Sequence, residues 1–359
     1  MQNSSTLSSI SANAAHSASG LPPSFARNLS NWYHSHHRSL PWRREPSLYK
    51  TVLSEFMLQQ TQVTTVLPYF ARWLQKFPTF EALAAAPEAA VLKQWEGLGY
   101  YSRARNLHKL AQAYTQADPK PQTAAAWRCF PGIGPYTSAA IASIAHGESV
   151  AVVDGNVIRI LTRLTANDTA FKNSTTALKS LTPLATQIIA TAADPGIHNQ
   201  AMMELGATVC TKHKPLCLLC PVRPYCAAQR AGTVEAYPNL QRSKTVRRQV
   251  DRIFALRDGH VLLHRMPANA KRLANMCELP DANLLGICLD GAEYVGKKKR
   301  GISNEQITEN IYAYQPDQSV LQQIEHRDDF IWADITIVDT YTLSGPHRKW
   351  LNELLASVG

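Results

Sequence analysis

At 359 residues the chain is long enough for two cores, because one hydrophobic core rarely grows beyond about 250 residues. Its 37 Lys and Arg against 27 Asp and Glu give a formal charge of +10, which favours a polyanionic partner such as nucleic acid over an acidic small molecule. No run approaches the roughly 18 apolar residues of a membrane span. The 7 cysteines, an odd number with four crowded between Cys210 and Cys226, point away from a secreted disulfide framework, so a cytoplasmic, membrane-free monomer is expected.

The first twenty residues hold serines but no Lys or Arg, so neither a charged signal-peptide start nor an Arg-rich transit peptide is read there; residues 1–22 are expected to be a disordered tail. From Pro23 to about Ala231 apolar residues recur at helical spacing between short breaks such as Phe77-Pro78-Thr79, which predicts an all-α half. Glu55 lies in Ser54-Glu55-Phe56-Met57-Leu58-Gln59-Gln60-Thr61-Gln62, on a helix otherwise apolar or amide. A carboxylate isolated there is expected to hold its proton nearer neutrality, against the ordinary reading of an exposed helix glutamate.

Phe130-Pro131-Gly132-Ile133-Gly134-Pro135-Tyr136-Thr137 joins two helical stretches, the second predicted over Tyr136–Ala145. Its first amides, after Gly132 and Gly134, make a phosphate cradle or merely a tight turn. Next, Val152-Val153-Asp154-Gly155-Asn156 ends an apolar run on an acid that caps the following helix or does chemistry. Cleaving a glycosidic bond takes an acid for the leaving group and an anion beside the developing sugar cation, and Glu55 with Asp154 is the candidate pair.

Cys210, Cys217, Cys220 and Cys226 are spaced closely enough for one metal centre to collect four thiolates. Zinc usually takes two short-spaced pairs, and only Cys217 and Cys220 form one, so a [4Fe–4S] cluster is favoured over zinc and over plain buried thiols. Lys212, His213 and Lys214 in the first loop are candidates for phosphate contacts or a solvated charged loop. Residues 236–248 read as a polar, basic linker. Two strands then flank the turn Arg257-Asp258-Gly259, with a further strand near Thr308–Tyr314 and a closing helix at Pro346–Ala356, which makes the second domain α+β.

Long stretches now carry a resemblance: Leu40-Pro41-Trp42-Arg43, Ser54 through Gln62, Gly97-Leu98-Gly99-Tyr100-Tyr101-Ser102-Arg103-Ala104-Arg105-Asn106-Leu107, the glycine hairpin, Val153 through Val157, and Asn199-Gln200-Ala201-Met202-Met203-Glu204-Leu205-Gly206-Ala207. They resemble the helix-hairpin-helix glycosylases and, within them, the MutY family. The resemblance implies a six-helix barrel over about residues 48–150 inside a domain of residues 23–235 that holds a [4Fe–4S] cluster. It implies a double-stranded DNA partner with adenine opposite 8-oxoguanine or guanine, and excision of the flipped adenine. Glu55 would protonate the base and Asp154 stabilise the sugar cation, supported by Tyr136 and Asn156. Trp42, Arg43, Leu58 and Gln200 match the adenine pocket, while Gln60, Leu98 and Tyr100 match residues that probe or wedge the stack. Related bifunctional enzymes carry a Schiff-base lysine where Tyr136 stands, so a monofunctional enzyme is implied, and Ile158 replaces a Lys of some relatives.

Residues 249–359 resemble the family's Nudix-like recognition domain, most clearly at Arg265-Met266-Pro267 and Leu273 through Pro280, with Cys277 where Trp is usual. Ile302-Ser303-Asn304 aligns with a Phe-Ser-His loop that reads 8-oxoguanine, which nominates Ser303 and Asn304. Lys297-Lys298-Lys299-Arg300 before it reads as a basic loop for phosphates or solvent. The competing functions are a bifunctional pyrimidine-damage glycosylase, a non-enzymatic DNA-binding iron–sulfur protein and a nucleotide hydrolase. Tyr136, the carboxylate pair and the absence of a glutamate-rich metal helix in the sequence argue against them in turn.

Overall fold

The computed structural model describes residues 21–241, 245–270, 272–302 and 304–357; Ser303, the nominated reader, lies outside the described residues. Two compact units divide the chain. The first gathers the segment ending at His37 with Ala151–Thr169 and Thr175–Asn239. Its N-terminal helix, Pro23–His36, starts with a proline that needs no amide partner and buries Phe25, Leu29 and Tyr33. The helix Pro195–Thr208 packs against it, and against Gly155–Thr165. Tyr225 ties the cysteine-rich loop to the first helix, its hydroxyl donating to Ser24 Oγ at 2.8 Å and accepting from Asn28 Nδ2 at 3.3 Å.

The second unit holds Arg38–Val150 and Leu240–Gly359. The helices Leu48–Leu58, Val63–Lys76, Glu88–Trp95, Ser102–Gln116 and Pro135–His146 surround a core in which Phe56, Phe70, Trp73, Trp95 and Leu107 are fully buried. Two of its aromatic residues form a buried relay: the Trp73 indole donates to the Tyr49 hydroxyl at 3.0 Å, which donates to the Phe77 carbonyl at 2.7 Å.

The rest of this unit is α+β. Strands β1 (Val246–Phe254), β5 (Glu293–Ile302) and β6 (Glu305–Ala313) form one sheet in the order β1-β6-β5, with β1 parallel and β5 antiparallel to β6. A second sheet holds β2 (Leu256–Arg257), β3 (His260–Arg265), β4 (Cys277–Glu278) and β7 (Phe330–Asp334). The sequence reads 252–256 and 260–263 as one hairpin, but the chain changes sheets at Ala255. Only Leu256 and Arg257 pair back with β3, and the residues before them go to β6.

The basic run also differs from its reading as a loop. Lys297-Lys298-Lys299-Arg300 is strand, so alternate side chains face opposite sides. Arg300 is mostly buried against Glu309 at 2.6 Å, and Lys298 pairs with Glu353 at 2.5 Å. Lys297 and Lys299 remain exposed.

The C-terminal region is also packed on the helical core of its own unit. Met276 is fully buried within that core with Leu273 against it, and Arg105 donates to the Ala274 carbonyl. The Tyr101 hydroxyl donates to the Leu343 carbonyl at 3.0 Å, and Arg348 Nε donates to Glu96 Oε1 at 2.7 Å.

Candidate active site and cluster loop

In the second unit, Ser47 caps the helix Leu48–Leu58 by accepting from the Lys50 amide, and every residue from Tyr49 to Met57 except Lys50 is buried. Glu55 is therefore not an exposed helix glutamate; it is 7 % exposed. Arg103 fixes the end of this helix. Its buried guanidinium donates to the carbonyls of Phe56 (3.1 Å) and Met57 (2.9 Å), to Thr61 Oγ1 (3.0 Å), and to the carbonyls of Leu98 and Gly99. Burial pushes this group down to about 10, which still leaves it charged at neutral pH.

Arg103 thus binds two turns to one side chain. Gln60 is exposed with a left-handed φ of 54°, and Tyr100 is 45 % exposed with φ 47°. Leu98, expected beside them, is buried in the core. Trp42 packs edge-on to Phe70 at 5.1 Å, Arg43 donates to the Arg38 carbonyl, and Leu58 packs partly buried against the core.

The hairpin follows from its glycines. Gly132 has φ +75°, and a Cβ there would run into Asn106. Gly134 is the N-cap of Pro135–His146, placing Tyr136 half-buried in the first helical turn, where amides and dipole favour an anion. Thr137 Oγ1 accepts from Gln59 Nε2 at 3.3 Å, linking this helix to the turn beside Gln60.

In the first unit, Asp154 does cap its helix, with Oδ1 accepting from the Val157 amide at 2.7 Å. Capping does not exhaust it. Oδ2 accepts from Asn156 Nδ2 at 3.0 Å, Asn156 Oδ1 accepts from Arg159 at 2.9 Å, and Arg159 Nε donates to the Cys210 carbonyl at 2.7 Å. Gly206 leaves room for this chain, since a Cβ there would meet Asn156. Enclosure of the carboxyl pushes Asp154 upward, opposed by the hydrogen bonds from Val157 and Asn156 and by the Arg159 charge. Gln200 is oriented by Tyr33, whose hydroxyl donates to Gln200 Oε1 at 3.0 Å.

Cys210, Cys217, Cys220 and Cys226 line one pocket with Arg163 and Arg223. Arg163 donates to Cys210 Sγ at 3.3 Å and to the Thr211 and Lys212 carbonyls. All four thiols are free of disulfides. Among the described residues no three Cys, His, Asp or Glu side chains gather tightly enough for a single metal ion. Four thiols lining one pocket beside the cationic Arg163 and Arg223 are a donor set chemically suited to an anionic iron–sulfur cluster. Lys212 and Lys214 are exposed in the loop. Sequence reasoning missed Arg103, Arg159 and Arg163 as site-builders, because periodicity assigns arginines to solvent. Only their place in the matched stretches, or just after one, hinted otherwise.

A family model described as HhH-GPD superfamily base excision DNA repair protein matches residues 53–184, which include Glu55, Tyr136 and Asp154. An adenine DNA glycosylase from Mycolicibacterium smegmatis is 40% identical over 207 residues, covering 57% of this chain and 69% of that protein. The chain belongs to the adenine DNA glycosylase family. A second family member, from Rattus norvegicus, is 47% identical over 220 residues, covering 58% of this chain and 42% of its own length. The chain therefore spans less than half of that relative. A solved thermostable thymine-DNA glycosylase aligns with a TM-score of 0.51 at 23% identity, covering 58% of this chain and 96% of that one, which shows the shared helical fold. Among the described residues no helix is long and apolar enough to cross a membrane.

Proposed function

We propose that this family member excises adenine opposite 8-oxoguanine or guanine in double-stranded DNA as a monofunctional, monomeric glycosylase. The observation that carries the reading is the contrast between two carboxylates: Glu55 buried on an apolar helix, and Asp154 held by donors from Val157 and Asn156. Such a difference in setting separates an acid from an anion. Glu55 gives its proton to a ring nitrogen of the flipped adenine, which turns the base into a neutral leaving group. As the bond to the sugar breaks, the Asp154 carboxylate lies against the oxocarbenium-like carbon until water completes hydrolysis.

Asn156 and Tyr136 orient this machinery, and with Tyr136 in place of an amine no Schiff base forms on the sugar. Trp42, Arg43, Leu58 and Gln200 shape the base pocket. Gln60 and Tyr100 enter the stack, with Leu98 packed behind them. The amides after Gly132 and Gly134, with Lys212 and Lys214, hold phosphates. Cys210, Cys217, Cys220 and Cys226 would hold a [4Fe–4S] cluster whose contribution is a rigid brace for that loop and for the Cys210 carbonyl that Arg159 grips. Residues 249–359 form the recognition domain for the opposite base, through Ser303 and Asn304, on a Nudix-like fold. Glu278 and Glu309, its buried carboxylates, are neutralised by Arg252 and Arg300 rather than presented to a metal.

The test is purified protein on a labelled duplex with adenine opposite 8-oxoguanine. Free adenine should appear, with strand cleavage only after alkali. Cleavage without alkali would overturn the monofunctional assignment, and no adenine release would overturn the activity. Iron and sulfide analysis should give about four of each per chain; stoichiometric zinc without iron would replace the cluster reading.

A further inference from the structure

Neither exposed side chain assigned to the stack sits on relaxed backbone. Gln60 has φ 54° and Tyr100 φ 47°, a left-handed conformation that a residue with a side chain keeps only where its surroundings enforce it. Gln60 lies one residue past the C-cap of Leu48–Leu58, the place where glycine usually closes a helix in this conformation. Before Tyr100 the chain does use glycine, at 97 and 99, yet it places tyrosine at the next left-handed position. Contacts from outside each turn must therefore supply what glycine would have made easy.

The two nitrogens at the tip of the Arg103 guanidinium divide this work. Nη1 donates to the carbonyls of Phe56, Met57 and Gln59, at the negative end of the helix and just before Gln60. Nη2 donates to the carbonyls of Leu98 and Gly99, just before Tyr100, and to Thr61 Oγ1, just after Gln60. The guanidinium carbon also lies 5.5 Å from the centre of the Tyr100 ring, so the arginine meets the side chain as well as its backbone. The Trp95 indole adds a second donor to the Gly99 carbonyl at 3.1 Å. A guanidinium is planar, which fixes its nitrogens relative to each other. Two turns distant in sequence are therefore seated on one rigid, buried plane.

We infer that Arg103 is the positioning residue that makes Gln60 and Tyr100 a single clamp, so that the two enter the duplex as a preset pair and not as independent probes. The inference rests on reading both as residues that enter the stack. Displacement of either turn by the duplex shifts the plane that seats the other, because a packed interior has no slack to absorb it. Lysine would supply the charge without the geometry, since an ammonium is a point charge that cannot spread over both turns.

The experiment uses the full chain and single-turnover excision of adenine opposite 8-oxoguanine. Gln60→Ala, Tyr100→Ala and their double variant are each measured with Arg103 present and in an Arg103→Lys background. With Arg103 present, the double variant should be about fivefold or more faster than the product of the two single losses, because the second truncation acts on a clamp already broken. In the Arg103→Lys background that coupling factor should fall to about one, and amide exchange should speed up at 59–61 and 98–101 together. If Arg103→Lys does not fold, Thr61→Val removes only the hydroxyl that joins Nη2 to the Gln60 turn and should lower the factor part of the way. A merely structural role would slow every background by one multiple and leave the coupling factor where it was, and that result overturns the inference. Two further outcomes separate the failures. Clear single losses that simply multiply with Arg103 present sink the clamp alone. If either alanine variant changes neither duplex affinity nor excision, that residue is no probe of the stack, and the clamp falls with that reading.

Discussion

The two candidate carboxylates, one in each compact unit, are set by different means. Glu55 sits on a helix whose neighbours are nearly all buried, and its position is fixed from outside by one arginine gripping the carbonyls that follow it. Asp154 ends a short apolar run, caps its own helix and is wired through Asn156 and Arg159 to the backbone of Cys210. In the proposed roles the first setting serves a proton donor held away from water, and the second an anion that is enclosed but also held by specific donors. One fold can thus keep two carboxyl groups in different roles without different residue chemistry.

Exchanging charge for amide at each position breaks this comparison most directly. Glu55→Gln keeps the shape but has no proton to give, so single-turnover excision should fall by about 10²–10⁴-fold with duplex affinity nearly unchanged. Near-normal rates would remove Glu55 as the acid. Asp154→Asn should cost less, on the order of 10²–10³-fold, as expected for loss of electrostatic stabilisation at a developing cation. Asparagine is as good an N-cap as aspartate, so the helix Gly155–Thr165 should stay intact by circular dichroism and thermal unfolding. A collapse of stability with the rate would mean that the cap, not the charge, is what Asp154 supplies.

Arg159→Met sharpens the comparison, because it removes the wiring and leaves both carboxylates in place. Asn156 loses the donor on its Oδ1, and the Gly206 and Cys210 carbonyls lose theirs. Excision should fall by about 10–100-fold, the usual cost of losing a partner one step removed from a metal ligand or catalytic group. Iron content should be measured beside it: a full complement of iron with slow excision assigns the loss to Asp154, and iron-free protein assigns it to the cluster loop.

How much of this was legible in the sequence follows from the kinds of force involved. Helical periodicity and Gly or Pro breaks gave the all-α half, and the closing helix came out at Gly345–Ala356 against an expected 346–356. Asp154 as a cap was readable from local pattern, as was the helix that carries Glu55. What pattern could not give was long-range: β1 leaves its apparent hairpin partner to pair with β6, about sixty residues away. Arg300 looks like one of four solvated cations, yet it is buried because Glu309 waits across the strand pair. Arg103 and Arg159 were hidden for the same reason, since a buried arginine is justified only by carbonyls that the fold brings from elsewhere.

The smallest effect is in the pH dependence. Enclosure dominates at Asp154 and raises its carboxyl above the usual aspartate value of about 3.9, with the donors from Val157 and Asn156 and the Arg159 charge pulling it back. In the proposed role the carboxylate must be ionised, so excision declines as pH falls through the raised value, and the acid limb should lie above that of free aspartate. Arg159→Met removes one of the opposing influences and should move the limb to still higher pH. Stability has the opposite sign. A raised folded-state value contributes stability fully present below the unfolded value and lost as pH rises through the folded one, so the buried anion that serves catalysis at neutral pH weakens the fold there. The difference in unfolding temperature between the parent and Asp154→Asn, followed from acid to neutral pH, isolates that term. The parent should lose ground relative to the variant as pH rises, and a difference that stays flat, with an acid limb that Arg159→Met leaves in place, would show that Asp154 is not the group titrating in catalysis.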